Sequence, residues 1–395
     1  METKMKLRTT LLSAVAIMAA LPAFAGETIK IGNIVASSGF LKSVGESALT
    51  AFDIAVKEIN DAGGVNGKPI ELIRFDSGSD PRQASVGARK LIQDDDVLAI
   101  LGPFSSGEAR VALNDADRFK VLMIPTAASA PGLTDDSKYG WRLTEDESKQ
   151  FGRLLAALTA SDIPHETAEI VYVSDEVVAN SAGTQLYPAL MKEAGIEVGE
   201  PIPVQFKSFD VSAQVATIMK KNPDVVAVAG LPQSASKVIK ELRRQGYEGR
   251  VIGSQIFADP NIVELFGPEG EGTLVVAGFW PGRTDAASTF NTEFLSQLED
   301  KGIHKLGAHH TDAQAYDGVY LLKQLMEQTG VTGDEDKLDE ERAELAAAME
   351  GVSFNGIVGD NICFVGHDAE LPGYVIEVTG GEWTKFAEAP ADKCD

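Results

Sequence analysis

The chain has 395 residues, a formal net charge of −24 and two cysteines. That length exceeds what one compact core serves and points to two domains. So acidic a body argues against nucleic acid or an anionic membrane surface as partner, but says little about a small ligand, because one pocket can be locally positive.

In chain order, the first segment reads as an export signal. Lys4, Lys6 and Arg8 form a basic start, and residues 11–21 are an apolar run too short to span a bilayer. Ala23-Phe24-Ala25 is a small-x-small cleavage site before Gly26. Cleavage after Ala25 places the remainder outside the cytoplasm, most simply in a periplasm. Gly26 and not a cysteine comes directly after the cleavage site, and no later stretch is apolar enough to cross a membrane, so neither a lipid anchor nor a span is expected. In an oxidising compartment Cys363 and Cys394 can pair and tie down the tail.

Strands are predicted at 28–36, 69–75, 97–101, 121–124 and 139–143, alternating with helices at 46–61, 81–93 and 108–120. The runs 97–101 and 121–124 lack polar alternation, as expected of parallel strands buried on both faces. The rhythm restarts with helices at 147–160, 182–194, 212–221 and 234–245 and strands at 169–174, 202–206, 225–230, 251–255 and 274–279. After Trp280-Pro281-Gly282 the pattern changes to helices at 286–301, 310–328 and 341–349, then strands at 361–365, 374–378 and 383–386 with a Gly380-Gly381 turn. Two successive α/β units imply two lobes, each a mostly parallel sheet flanked by helices.

Both 97–101 and 121–124 run into small residues, Ser105-Ser106-Gly107 and Thr126-Ala127-Ala128-Ser129. Small side chains at neighbouring strand ends leave room for a ligand, and the next helix adds N–H groups and its positive dipole end. Such a spot suits a carboxylate. The competing reading makes the serines helix caps and nothing more. No nucleophile elbow, Walker lysine motif or dinucleotide fingerprint occurs. His309-His310 lacks partners at zinc spacing, so no metal or other cofactor is expected. Phe40, Phe104, Phe257, Phe279 and Trp280 are candidate apolar walls, with core burial the rival reading for each.

Several segments together resemble the periplasmic leucine/isoleucine/valine-binding type of solute-binding protein, which feeds ABC importers. They are Ile59-Asn60-Asp61-Ala62-Gly63-Gly64-Val65-Asn66-Gly67, Asp80-Pro81-Arg82-Gln83-Ala84, Leu101-Gly102-Pro103-Phe104-Ser105-Ser106 and Ile124-Pro125-Thr126-Ala127-Ala128-Ser129-Ala130-Pro131. The resemblance covers nearly all of the chain after the leader. It implies the two-lobed type I fold with three hinge crossings, with 26–145 and 281–350 in lobe one and 146–280 and 351–395 in lobe two. It implies a ligand carboxylate met by Ser106, by the backbone of Ala127 and Ala128 and by the Ser129 hydroxyl, with Ser105 beside them.

The chain also departs from that pattern. Ser79 and Ser105 stand where leucine-binding relatives often carry paired cysteines. Ala179 and Leu231 stand where aromatics line the second lobe, and Gln255 where an acid holds the ligand ammonium. Asp175, at another strand end of lobe two, would rescue ammonium binding if it points into the cleft. The expectation is therefore a monomeric, non-enzymatic binding protein for a small carboxylate with an apolar tail, handing it to an inner-membrane permease. Branched-chain amino acids, a sensory role and an exported enzyme are the alternatives.

Overall fold

A computed structural model of the chain describes residues 28–391 and Cys394. The expected export signal and its cleavage site lie outside the described residues.

The first sheet is built from β1 (Ile29–Val35), β2 (Ile70–Asp76), β3 (Ile100–Leu101) and β4 (Met123–Ile124), alternating with α1 (Lys42–Asp61), α2 (Pro81–Gln93) and α3 (Ser106–Phe119). Its strands are all parallel, in the order β2-β1-β3-β4. The helix starts follow from local chemistry. Asp80 accepts from the Arg82 N–H at 2.8 Å just before Pro81, whose fixed φ suits a first helical residue.

The second sheet takes its helices and strands from α4 (Glu147–Thr159), β5 (Thr167–Val173), α5 (Val177–Ser181), α6 (Tyr187–Glu193), β6 (Glu197–Val198), β7 (Ile202–Val204), α7 (Ser212–Lys221), β8 (Val225–Ala229), α8 (Pro232–Arg244), β9 (Arg250–Gly253), α9 (Ile262–Phe266) and β10 (Leu274–Ala277). Then come α10 (Asp285–Asp300), α11 (His310–Thr329), α12 (Leu338–Ala347), the small pair β11 (Phe364–Val365) and β12 (Asp368–Ala369), and the hairpin β13 (Gly373–Thr379) and β14 (Glu382–Ala389). The strand order is β14-β13-β10-β9-β8-β5-β6, with β7 also on β5. The strands from β5 to β10 pair in parallel, and the hairpin adds to β10 antiparallel. Every residue of β8 and β10 is buried, because helices cover both faces of this sheet.

Each sheet has apolar packing on both faces. Ile34, Leu91, Ile100 and Met123 fill one side of the first sheet, and Ile31, Phe52, Leu101 and Leu325 the other. Val226, Val228, Phe257 and Tyr374 serve one side of the second, and Phe151, Ile170, Tyr187 and Ala227 the other. The chain passes between the two sets of cores three times: between Leu143 and Phe151, between Ala277 and Phe279, and between Leu371 and Tyr374.

The third passage differs from the expectation. Val352, Phe354, Ile357, Ile362 and Leu371 pack in the first core, although a boundary at 350 had put them with lobe two; only the hairpin from Gly373 onward joins the second sheet. The predicted strand at 139–143 is also absent as a strand. Gly140 and Arg142 make single bridges to Met123 and Asp368, while Trp141 and Leu143 fill the first core. Of the candidate apolar walls, Phe257 and Phe279 are core residues and Phe40 is exposed. Cys363 and Cys394 form a disulfide with Cα atoms 6.1 Å apart, fastening the chain end beyond β14 to β11's neighbour.

Candidate functional site

On the first sheet the expected residues converge. After β3 the chain turns at Gly102, where φ is +88° and a Cβ would lie 2.2 Å from the Ile34 carbonyl oxygen, so only glycine fits. Ser105 then caps α3, accepting from the Glu108 N–H at 3.4 Å and donating to the Glu108 carboxylate. The Ser106 hydroxyl oxygen accepts from the Ala130 N–H at 3.1 Å, which ties the end of β3 to the loop that follows β4. Ala128 is buried in that loop, Ala127 is 9% exposed and Ser129 is half-buried.

Arg142, which the sequence reading missed, holds the loop. Its side chain is fully buried and donates to the carbonyls of Ala128 (3.0 Å) and Ala130 (2.7 Å). The same guanidinium forks onto Asp368, with Nε at 2.5 Å from one oxygen and Nη2 on the other, and lies 3.3 Å from Asp146. An arginine between Trp141 and Leu143 in an apolar segment was the available signal, because buried guanidinium groups need dedicated acceptors.

On the second sheet the expected residues divide. Gln255 follows β9, is 5% exposed and has neither amide atom hydrogen-bonded. It lies against Gly278, where a Cβ would come within 2.2 Å of its Nε2 and where His310 is also adjacent. His309 bonds the Gln255 backbone oxygen at 3.2 Å, and His310 Nδ1 is buried without a partner. Burial pushes both histidines below the usual imidazole range, His310 well below it. Leu231 is half-buried ahead of α8, its carbonyl accepting from the Ser234 and Ala235 N–H groups. Ala179 is buried in the second core. Asp175 is exposed, with one carboxylate oxygen accepting from the Phe206 N–H at 2.8 Å. With Ser174, Glu176, Asn180, Ser181 and Gln185 it walls an open cavity of about 410 Å³ at the end of β5.

Glu147 connects the two halves, and the sequence reading missed it as well. Its N–H donates to the Ser129 carbonyl at 2.8 Å, and its carboxyl accepts from the Tyr187 hydroxyl at 3.4 Å. That hydroxyl also meets the Ser254 side chain, one residue before Gln255. Burial, reinforced by Asp146 and Glu176, pushes the Glu147 carboxyl up to about 7 against the opposing Tyr187 bond. In sequence, Glu147 looks like any acid in the first turn of a helix.

A family model described as periplasmic binding protein matches residues 28–382. The chain belongs to that family. Its family and fold are those of solute-binding proteins. The chain is 27% identical to Leu/Ile/Val-binding protein homolog 1 of Brucella melitensis over 394 aligned positions, covering 97% of this chain and 98% of that one. It superposes with TM-score 0.78 on the branched-chain amino acid transporter substrate binding protein LivJ of Streptococcus pneumoniae in complex with isoleucine, at 21% identity and covering 92% and 99% of the two chains. The TM-score is again 0.78 for an ABC transporter solute binding protein of Rhodopseudomonas palustris in complex with benzoate, at 21% identity and 93% and 98% coverage. The fold expected from the sequence, two α/β units of the type I binding-protein class, is the fold found. Among the described residues, no helix of this periplasmic binding protein is long and apolar enough to cross a membrane.

Proposed function

We propose that this protein captures a small organic carboxylate with an apolar tail between its two α/β units, outside the cytoplasm, and presents it to the membrane permease of an ABC importer. Ser106, Ser129 and the backbone of Ala127 and Ala128 receive the carboxylate; Leu231 and Gln255 contact the rest of the ligand. The observation that carries this reading is the convergence of Ser106, the 127–130 loop and the first turn of α4, held together by Arg142 and Glu147. A carboxylate there gains hydroxyl and backbone donors at the ends of two helices longer than three turns. Gln255 is neutral, so the ligand's ammonium, essential where an acid stands, is dispensable. The lobes meet along the passages at 143–151, 277–279 and 371–374, and rigid rotation about these closes the cleft.

Calorimetry with leucine, isoleucine and valine against benzoate and the matched 2-keto and 2-hydroxy acids tests the ligand class. Binding of one or more amine-free acids is expected, with a smaller radius of gyration by solution scattering at saturation. Tight binding of the amino acids with no binding of any amine-free acid would overturn it. An unchanged scattering profile with binding established would overturn the closing mechanism instead.

A further inference from the structure

The loop between α10 and α11 belongs to the first core. Ala308 is buried there, Ile303 packs against it, and the Ala308 N–H donates to the Asn291 side chain on α10 at 2.7 Å. The segment after β9 belongs to the second core, through Phe257, Ala258, Ile262, Val263 and Phe266. The Trp383 indole N–H on β14 donates to the Asp259 carbonyl at 3.3 Å and fastens this segment to its own sheet. The two segments meet around Lys305. Its side chain is 11% exposed, and a lysine this covered needs charged partners. Its ammonium lies 3.1 Å from Asp259 of one unit and 3.4 Å from Asp312 of the other. Beside it, the Asn261 amide donates to the His304 carbonyl at 3.2 Å, and its oxygen accepts from the Leu306 N–H at 3.0 Å. Pro260 sits against Gly307, where a Cβ would come within 3.1 Å of its ring.

These partners would fare differently if the units moved apart. Asp312 is fully buried and would keep Lys305, the Ser47 hydroxyl at 2.7 Å and the His309 N–H at 2.9 Å, all within its own unit. Asp259 would keep the Asn261 N–H at 2.9 Å but lose Lys305, and the Asn261 side chain would lose both of its bonds. Water would replace each lost partner, and desolvation offsets much of a covered ion pair's attraction, so the junction is a bias and not a lock. We propose that Lys305, Asp259 and Asn261 form a latch between the two units, which favours their joined arrangement before any ligand arrives and so sets ligand affinity through residues that do not receive the carboxylate. A ligand that bridges both units binds the joined form, and its apparent affinity scales with the fraction of molecules in that form. The effect on affinity rests on the closing mechanism proposed above; the latch itself acts in the ligand-free protein.

The test is solution scattering of the full chain after signal removal, first without ligand, on wild type, Asp259→Asn and Asn261→Ala. Asp259→Asn removes the charge that crosses between units and leaves Lys305 on Asp312. Asn261→Ala removes the paired amide bonds and no helix cap, because that side chain caps nothing in α9, and it serves alone if the first variant does not fold. The ligand-free radius of gyration should be larger in each variant than in wild type, and Asp259→Glu, which keeps the charge, should recover part of the difference. Calorimetry with whichever of benzoate, 4-methyl-2-oxopentanoate and leucine binds wild type should show affinity about threefold to tenfold weaker in Asp259→Asn, with the radius at saturation equal to that of wild type. Ligand-free radii equal to wild type in both variants overturn the latch and leave the carboxylate and closing readings intact. Larger ligand-free radii with affinity unchanged overturn its control of affinity. Larger radii that saturating ligand does not reduce overturn the closing mechanism and leave the latch standing.

Discussion

Replacing Arg142 by Met tests how the site is held. The methionine roughly keeps the aliphatic volume and removes every donor. Asp368 loses a two-point partner, and the carbonyls of Ala128 and Ala130 lose a charged donor. Removing one member of a buried ion pair costs about 3–5 kcal/mol. Asp368 is 21% exposed at its side chain and also accepts from the Thr134 hydroxyl at 2.5 Å, which argues for the low end, about 3 kcal/mol. The carbonyl bonds add to this less than their separate values, since all share one side chain. Urea unfolding of the ligand-free protein measures the loss. Asp368→Asn should cost less than Arg142→Met, and the double variant should recover part of the loss because it strands no charge. Ligand affinity should fall in the folded Arg142→Met protein, as the 127–130 loop relaxes. A loss under about 1 kcal/mol with affinity unchanged would refute the assignment of Arg142 as the pin of the site.

Ser129→Ala should weaken binding of a cognate carboxylate by about tenfold or more, since a hydrogen bond to a charged group contributes roughly 1.5–3 kcal/mol. Ser106→Ala should lower both affinity and melting temperature, because its hydroxyl also accepts from the Ala130 N–H; calorimetry showing equal affinity for wild type and both variants would place the ligand elsewhere. Reducing the Cys363–Cys394 bridge, which spans 31 positions, should lower stability by about 3–4 kcal/mol, and a melting temperature indifferent to dithiothreitol would refute that. Burial pushes Glu145, Glu147 and Asp317 each up to about 7. The folded state therefore keeps protons that the unfolded chain releases near its ordinary carboxyl values, so stability from these groups is fullest below those values, falls as pH rises towards 7 and levels off above. The two buried histidines, held below their usual range, contribute in the opposite direction over pH 5–7, so the check is a comparison. In urea unfolding at pH 5, 6, 7 and 8 the stability of wild type relative to Glu147→Gln should fall as pH rises towards 7, and a difference that is level or rises would refute it.

The α/β rhythm was legible because buried parallel strands leave unbroken apolar runs such as 225–229 and 274–277, and helices announce their caps, as Asp80-Pro81 does. The convergence of Ser106 with the 127–130 loop was legible for a related reason: adjacent parallel strands put their carboxyl ends side by side. The third passage between cores was not, because residues 352–371 carry apolar side chains without helical or strand periodicity and would suit either core. The connecting groups were hidden for another reason. Glu147 meets Tyr187 across 40 positions, and His309 meets Gln255 across 54. Nothing local marks either pair, because the burial of Glu147 and its bond to Tyr187 come from elements far apart in sequence rather than from a motif.

Asp175 shows how placement changes an argument made from residue type. As an acid at a strand end it was the natural substitute for the missing acid at Gln255. Its carboxylate is instead exposed and already serves the Phe206 N–H, so water and a backbone donor stabilise its charge without any ligand. Glu147 has the opposite surroundings: burial, acidic neighbours and one long bond from a tyrosine hydroxyl. Gln255 and His310, which lie together against Gly278, bring unpaired neutral polar atoms rather than charge. A hydroxyl or carbonyl can pair with the Gln255 amide as it stands. The Gln255 amide thus offers hydrogen bonds and no counter-charge, and within the function proposed above that is the physical ground for an amine-free acid over an amino acid.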